Sequence, residues 1–294
     1  MTGRVDNVIS GHRLLFLMTA ACVFVTLGIL VFMLVLGLPL LTPDSLRLIF
    51  ASEWAPDRGL FGVLPFIYGT LAIVSLSLLF AVPLSLGNAV LIHLLLPPAA
   101  AGLLHRLIKM MTGIPTVIYG FVGIFLLVPF IREWSGSGSG MSILSAGLLL
   151  ALLISPTMIL IFVESFAAVP AGHIRALTAL GGSLRQRLFY LLLPGARNGI
   201  MTGIILGIGR ALGDTMIALM VAGNATARPE SLLDPVRTLT AQIALVMAAD
   251  LDSIEFKTIF VCGILLYLWA AVLTLTLRFL NHGSVKSGFR GVLS

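Results

Sequence analysis

Long uninterrupted apolar stretches constrain this chain more than any other feature. Each is long enough to cross a hydrocarbon core about 30 Å thick, which takes roughly 20 helical residues. Backbone groups in lipid must find hydrogen-bond partners within their own segment, so each stretch is predicted to be a helix. The sequence therefore predicts an all-α, polytopic membrane helix bundle of about six transmembrane helices, at about Leu14–Leu38, Leu64–Leu95, Leu107–Ile131, Ile143–Phe166, Asn198–Ala222 and Thr258–Phe279.

The composition agrees with a bilayer as the solvent. Of the 294 residues, 59% are hydrophobic and only 10% are charged, against about 25% charged in soluble domains. The formal net charge of +6 does not indicate nucleic acid, because the basic residues lie at the ends of apolar stretches and form no run with interleaved aromatics. Membrane lipids are thus the expected surroundings, and a soluble enzyme or a nucleic-acid-binding protein is excluded.

The connecting segments suggest two parts of the chain. Residues 1–63 are predicted to hold an N-terminal transmembrane helix and an external segment, and residues 64–294 a larger membrane domain. Ser135–Gly140, with its Ser-Gly repeat, is expected to be a flexible turn. Leu239–Ala249 is apolar but too short to span, and is predicted to be a surface or a re-entrant helix.

The distribution of Lys and Arg predicts the orientation. With a cytoplasmic N-terminus, the cytoplasmic loops hold most of the basic residues and the external loops most of the acids, as the positive-inside rule requires. Both termini are therefore expected in the cytoplasm. The external face is then net acidic, so an anionic substrate would need delivery or a local positive site.

The fifth stretch contains two intramembrane charges, Arg210 and Asp214. Four residues apart on a helix, they are expected on one face within ion-pair reach. They could be a self-neutralising structural pair. Alternatively, Arg210 could line a substrate path as an anion contact, because its planar fork binds oxyanions bidentately, with Asp214 as its counterpart and Thr215 beside it.

Gly113 and Pro115 interrupt the third stretch. A proline in a membrane helix usually produces only a kink. A kink beside a substrate path would also help a helix bundle to rock between two states, so both interpretations stay open.

A basic, moderately polar segment at about 168–194 joins the fourth and fifth stretches and is long enough for two short helices with a break at Gly181-Gly182. Its pattern resembles the coupling loop of bacterial ABC importer permeases, which reads Glu-Ala-Ala, three residues, Gly, nine residues, then Ile-x-Leu-Pro. This chain departs from it with Arg175 at the Glu position and Leu177 at the second Ala. The resemblance implies a type I ABC importer permease fold and contacts with an ATPase by Arg175, Ala176, Ala179, Gly181, Gly182, Leu193 and Pro194.

The run Arg210-Ala-Leu-Gly-Asp-Thr215 sharpens this resemblance. It is similar to the Arg-Ala-x-Gly-Glu-Thr run of phosphate-specific permeases, with Asp214 in place of Glu, and the following Met-Val-Ala-Gly-Asn224 is closer to the PstC type than to the PstA type. The resemblance implies a permease for inorganic phosphate in a bacterial inner membrane, without a cofactor. It also implies three kinds of partner: a PstA-type second permease, two ATP-binding cassette subunits and an external phosphate-binding protein.

Other classes of protein are alternatives to a phosphate permease. A permease for sulfate, molybdate or phosphonate is the nearest alternative. A stand-alone channel or secondary transporter would carry inverted repeats with paired broken helices, which the sequence does not display. No Walker A motif, no metal-ligand spacing and no catalytic dyad occur in the sequence. The chain is therefore predicted to be a non-enzymatic subunit that relies on a separate ATPase.

Overall fold

The chain folds almost entirely into helices. The computed structural model describes residues 2–37, 49–136 and 138–290, with side chains for 15–37, 49–136 and 138–279. A minimal antiparallel pair of strands, β1 (Trp54–Ala55) and β2 (Leu60–Phe61), flanks a 3-10 turn at Pro56–Arg58. The α-helices are α1 (Thr2–Gly37), α2 (Leu64–Val90), α3 (Pro98–Met111), α4 (Thr116–Val122), α5 (Val128–Ser135), α6 (Ile143–Ala167), α7 (Ala171–Ala179), α8 (Leu184–Gln186), α9 (Leu193–Gly195), α10 (Arg197–Leu212), α11 (Met216–Val221), α12 (Leu239–Val246) and α13 (Ile254–Arg290).

Three π-helical stretches continue these helices without interruption. They are Leu91–Leu95 after α2, Gly123–Leu127 between α4 and α5, and Arg187–Leu192 between α8 and α9.

Five helical segments of the described residues are long and apolar enough to cross a membrane, or six if one bent pair is counted as a single span. The second predicted span is found with both its ends as predicted, at Leu64–Leu95, and the first, fourth and sixth agree within a few residues. Of the first span, Leu38 lies outside the described residues, as do residues 39–48 of the predicted external segment. The prediction of an all-α membrane bundle is confirmed.

The third span is shorter than predicted. It covers Thr116–Ser135 instead of Leu107–Ile131, because the helix breaks between Met111 and Thr116. Pro115 has no N–H to donate, and a proline disfavours helical backbone in the residue before it. Residues 107–111 consequently belong to a separate helix, α3.

The core of the bundle forms around α6, which packs against α2 and α10. Glycines allow these helices to approach closely: a Cβ at Gly147 would lie 2.8 Å from Leu76 Cδ2, and one at Gly203 would lie 2.6 Å from Phe162 Cε1. Small residues at such crossings are typical of membrane helix packing.

Helix α1 stands at the edge of the bundle. Its side chains from Leu15 to Ile29 are exposed, and near its C-terminal end it contacts α13. There Phe32 meets Phe260 edge to face at 5.8 Å.

The short apolar stretch after the fifth span forms α12, which packs against α2, α11 and α13. Its first turn is buried, and Gln242 within it is fully enclosed. Ala244 and Leu245 further along are exposed, so a surface or a re-entrant helix stays a prediction.

Candidate functional site

The fifth span is not a continuous helix. Helix α10 ends at Leu212, and α11 starts only at Met216. Asp214 lies in the break, where its Oδ2 accepts a hydrogen bond from Ile217 N at 2.9 Å. The predicted shared helical face for Arg210 and Asp214 is therefore wrong, and the two form no ion pair within 4.0 Å in the part of the chain that the structure describes.

Arg210 instead crosses to the central helix. Its Nη1 donates to Thr157 Oγ1 of α6 at 2.6 Å, and its half-buried guanidinium lies within electrostatic range of both Tyr119 and Asp214. The Arg210 guanidinium thus lies near residues of α4 and α6 and of the break in its own span, and the Thr157 hydroxyl fixes its orientation. The role of Thr157 was missed at the sequence level, although Ser155-Pro-Thr157 is a polar, proline-containing interruption of an otherwise apolar helix.

Asp214 borders a small enclosed cavity of about 10 Å³, lined also by Thr70, Thr238 and Thr240. Thr240 Oγ1 donates to the backbone carbonyl of Asp214 at 2.9 Å, and Thr70 Oγ1 accepts from Leu239 N at 3.0 Å. A space of this size holds about one water molecule. The first turn of α12 is thereby attached to the break in the fifth span on one side and to α2 on the other.

Thr215 is the residue immediately before α11. It is half-buried, and its carbonyl accepts from Leu219 N at 2.9 Å. It therefore lies beside Asp214 at the break, as the sequence places it, and takes part in starting the next helix.

Gly113 and Pro115 lie in the break between α3 and α4, so they separate two helices and do not kink one. Across this break, Tyr119 Oη donates to the carbonyl of Met111 at 3.3 Å. Because Tyr119 is also near Arg210, the break and the intramembrane charge share one neighbour.

The segment at 168–194 has the predicted arrangement of two short helices with a break at Gly181-Gly182. Gly181 adopts φ +77°, the left-handed region that glycine populates without strain. Gly182 N donates to Leu177 O at 2.9 Å, and Ser183 starts the second helix with a capping box on Gln186.

This segment presents its surface outwards. Arg175, Ala176 and Ala179 are exposed, and Leu180 is 84% exposed. The helical stretch Leu184–Gly195 then meets α10 at an angle of 68°. We call this junction, at Ala196, the elbow.

Leu193 and Pro194 lie just before the elbow. Leu193 is half-buried and packs against the core, whereas Pro194 is exposed. The predicted contact residues of this segment are thus exposed, except for Leu193 and Gly182, which are half-buried.

A second half-buried cation, Arg237, lies at the end of the bundle where α2 begins. Arg237 Nε donates to Asn224 O at 3.1 Å, and its Nη1 donates to Gln242 Oε1 at 2.8 Å. Burial lowers the pKa of the Arg237 guanidinium from its ordinary value, while the negative charge of Glu255 acts in the opposite direction. From the sequence, Arg237 is predicted only to lie in the loop between the fifth and sixth spans.

Comparisons with known proteins bear on this arrangement. Residues 89–283 match the family described as binding-protein-dependent transport system inner membrane component. The chain is 34% identical to the probable ABC transporter permease protein YqgH of Bacillus subtilis (strain 168), over 81% of this chain and 78% of that protein. It is 30% identical to the phosphate transport system permease protein PstC of Xylella fastidiosa (strain 9a5c), over 92% of this chain and 91% of that one.

Solved structures resemble the chain in fold at low sequence identity. A chain of a bacterial alginate ABC transporter, solved with an alginate pentasaccharide-bound periplasmic protein, superposes with a TM-score of 0.64 at 15% identity, covering 92% of this chain and 93% of that one. A chain of the MetNI methionine ABC transporter gives 0.57 at 18% identity, covering 74% and 95%. At such identities the likeness is one of fold.

Proposed function

The chain belongs to the family of binding-protein-dependent transport system inner membrane components and has the fold of type I ABC importer permeases, and from this we propose that it forms the translocation path for inorganic phosphate in an ATP-driven importer. Its relatives named as phosphate permeases support the substrate. The observation that carries the proposal is Arg210, an intramembrane cation whose guanidinium is aimed by Thr157 beside a break in its own span.

Arg210 suits an oxyanion for chemical reasons. A charge at mid-membrane is costly unless it is paired or faces a water-filled cavity. The Arg210 guanidinium donates one hydrogen bond to a hydroxyl, that of Thr157, and has no carboxylate within ion-pair distance among the described residues. Its remaining N–H groups can donate to phosphate oxygens in a bidentate, charge-assisted manner. Asp214 is four residues further along the chain and within electrostatic range of Arg210. Its negative charge weakens the binding of phosphate to Arg210 and so favours release.

The partners follow from the same proposal. The exposed surface of residues 168–194 receives the ATPase subunits, with Arg175, Ala176, Ala179, Gly181, Gly182 and Pro194 at the contact and Leu193 anchoring it to the core. A PstA-type permease completes the path, and an external binding protein delivers phosphate at the end where α2 begins. The subunit then lies in a bacterial inner membrane with both termini in the cytoplasm. The breaks at Gly113–Pro115 and Gly213–Thr215 are where the spans bend as the bundle changes state.

The test is phosphate uptake by cells that lack their own system and are supplied with the partner subunits and this chain. Arg210→Gln is expected to assemble and to lower uptake by about thirtyfold or more, since truncating a buried hydrogen-bonded charge costs about 2–5 kcal/mol. Arg197→Gln is the matched control, because Arg197 is an exposed arginine at the start of the same helix and its loss should leave uptake unchanged.

Each outcome bears on a different part of the proposal. Equal uptake by the wild type and Arg210→Gln would make Arg210 a structural residue. No phosphate uptake by a normally assembled wild-type complex would reject phosphate, and the same cells would then be assayed with sulfate, molybdate and phosphonate.

A further inference from the structure

A second polar site lies at the end of the bundle where α2 begins and α11 ends. It consists of Asn224, Arg237 and Gln242, which we call the outer polar cluster. Arg237 holds the other two through its Nε and Nη1 bonds, and its guanidinium carbon lies 5.7 Å from the centre of the Phe66 ring. Two hydrogen bonds and a ring therefore fix the orientation of this cation.

Two atoms of the outer polar cluster are left without a hydrogen-bond partner among the described residues. Gln242 is fully buried, and its Nε2 donates to nothing; Asn224 Oδ1, also buried, accepts from nothing. The other halves of both carboxamides are used, since Gln242 Oε1 accepts from Arg237 and Asn224 Nδ2 donates to Leu219 O at 2.7 Å. Buried polar groups in native proteins are normally satisfied, so each exception needs an explanation.

No carboxylate of the described residues is in contact with the Arg237 guanidinium. Arg237 makes no ion pair within 4.0 Å in the described ranges, and Glu255 influences it only at longer range. The outer polar cluster therefore combines an oriented positive charge with one free amide donor and one free amide acceptor.

We propose that the outer polar cluster is an oxyanion contact at the external mouth that prefers a protonated tetrahedral oxyanion, such as hydrogen phosphate, to a fully ionised one, such as sulfate. Arg237 and Gln242 Nε2 donate to its oxygens, and Asn224 Oδ1 accepts from its hydroxyl, which sulfate lacks. The inference rests on the proposed function, to which it adds an anion-binding site that precedes Arg210 on the transport path. It also supplies the local positive site that an acidic external face requires.

The position of the outer polar cluster suits the first anion-binding site on the transport path. Thr240, in the same turn as Gln242, donates to the carbonyl of Asp214, so α12 joins the cluster directly to the break near Arg210. In this conformation the two free atoms are enclosed, and an anion reaches them when the segment 223–238 separates from α2. Two contacts join that segment to α2 and would have to open: Arg228 stacks on Tyr68 at 4.9 Å, and the Arg237 backbone lies so close to Gly69 that a Cβ there would be 2.5 Å from Arg237 O.

Trp54 offers a direct reporter of occupancy. It packs on Phe66 with ring centroids 5.4 Å apart, and Phe66 lies beneath Arg237. The assembled complex, without the binding protein and without ATP, is titrated with potassium phosphate and separately with potassium sulfate while tryptophan emission is recorded. The Trp54 contribution is the part of the signal that Trp54→Phe removes.

The expected result is a saturable, Trp54-dependent change with phosphate at a lower half-point than with sulfate. Arg237→Gln should raise the phosphate half-point about ten- to a hundredfold, as expected for a lost hydrogen bond to a charged group. Gln242→Glu should do the same, by placing a carboxylate where the anion binds. Asn224→Gly keeps the left-handed backbone, φ +55° at Asn224, and should remove the preference for phosphate over sulfate. Arg132→Gln, the loss of an exposed charge near the end of α5 and outside the cluster, should leave the half-point unchanged.

The opposite results separate this inference from the proposed function. An absent Trp54 signal, or one unaffected by Arg237→Gln, overturns the oxyanion contact and assigns the two free atoms to an enclosed water, even where cells take up phosphate. A saturable signal with sulfate and none with phosphate overturns the preference for a protonated anion. A phosphate signal in Arg210→Gln complexes that transport nothing supports the outer contact as a separate site.

Discussion

Replacing Thr157 by valine tests whether the aim of Arg210 matters, because valine keeps the shape of threonine and removes only the hydroxyl. The hydrogen bond concerned is short, 2.6 Å between Arg210 Nη1 and Thr157 Oγ1. Hydrogen bonds to charged groups contribute about 1.5–3 kcal/mol, and a loss of that size corresponds to roughly 10–150-fold in an equilibrium constant. We expect Thr157→Val to lower the phosphate uptake rate by at least the smaller of these factors.

The assay is initial uptake of radiolabelled phosphate, normalised to the amount of assembled complex. Thr157→Ser should retain most of the rate, because it keeps the hydroxyl. Thr202→Val is the matched control: Thr202 lies on the same helix as Arg210, and its hydroxyl donates to Asn198 O within that helix at 2.8 Å. If Thr157→Val transports phosphate at the wild-type rate, the hydrogen bond does not position Arg210 for transport and the reasoning fails.

Two glycines yield further predictions. Gly181→Ala should weaken co-purification of the ATPase subunits and slow uptake, because a left-handed backbone costs a residue with a Cβ about 1–2 kcal/mol; Gly172→Ala, in open space on the same segment, should change neither, and equal behaviour of the two would contradict the argument. Gly203→Ala should lower the melting temperature of the complex, since the added Cβ would meet Phe162 at 2.6 Å and overpacking costs about 1–3 kcal/mol. Gly28→Ala, with nothing within 4 Å, should leave the melting temperature as it is, and a similar fall in both would refute the packing explanation.

The spans could be predicted from the sequence because the bilayer imposes a simple rule of length and apolarity. Leu64–Leu95 was predicted to the residue on that rule alone. The two short helices at residues 168–194 could also be predicted, since Gly181 and Pro194 favour particular backbone conformations that can be recognised in a sequence.

The breaks were harder to predict, because hydropathy does not register them. Apart from Arg210 and Asp214, the residues around Gly213 are apolar or small, so the sequence predicts a continuous helix over 198–222. The end of α10 depends on contacts made by Asp214 with the following helix. The same limit applies to Thr157 and to the outer polar cluster. Arg237 and Asn224 are 13 residues apart in sequence, and Arg210 and Thr157 are 53 apart, so only the fold brings each pair together.

The elbow at Ala196 is a point about which α10 could rotate as a rigid helix. Arg210 lies about 20 Å along the helix from it, at a rise of 1.5 Å per residue, so a rotation of about 5° would carry the guanidinium through roughly 2 Å. That displacement exceeds what a 2.6 Å hydrogen bond to Thr157 can tolerate. A small rotation of α10 about the elbow would therefore be enough to break the hydrogen bond that orients the charge at the centre of the bundle.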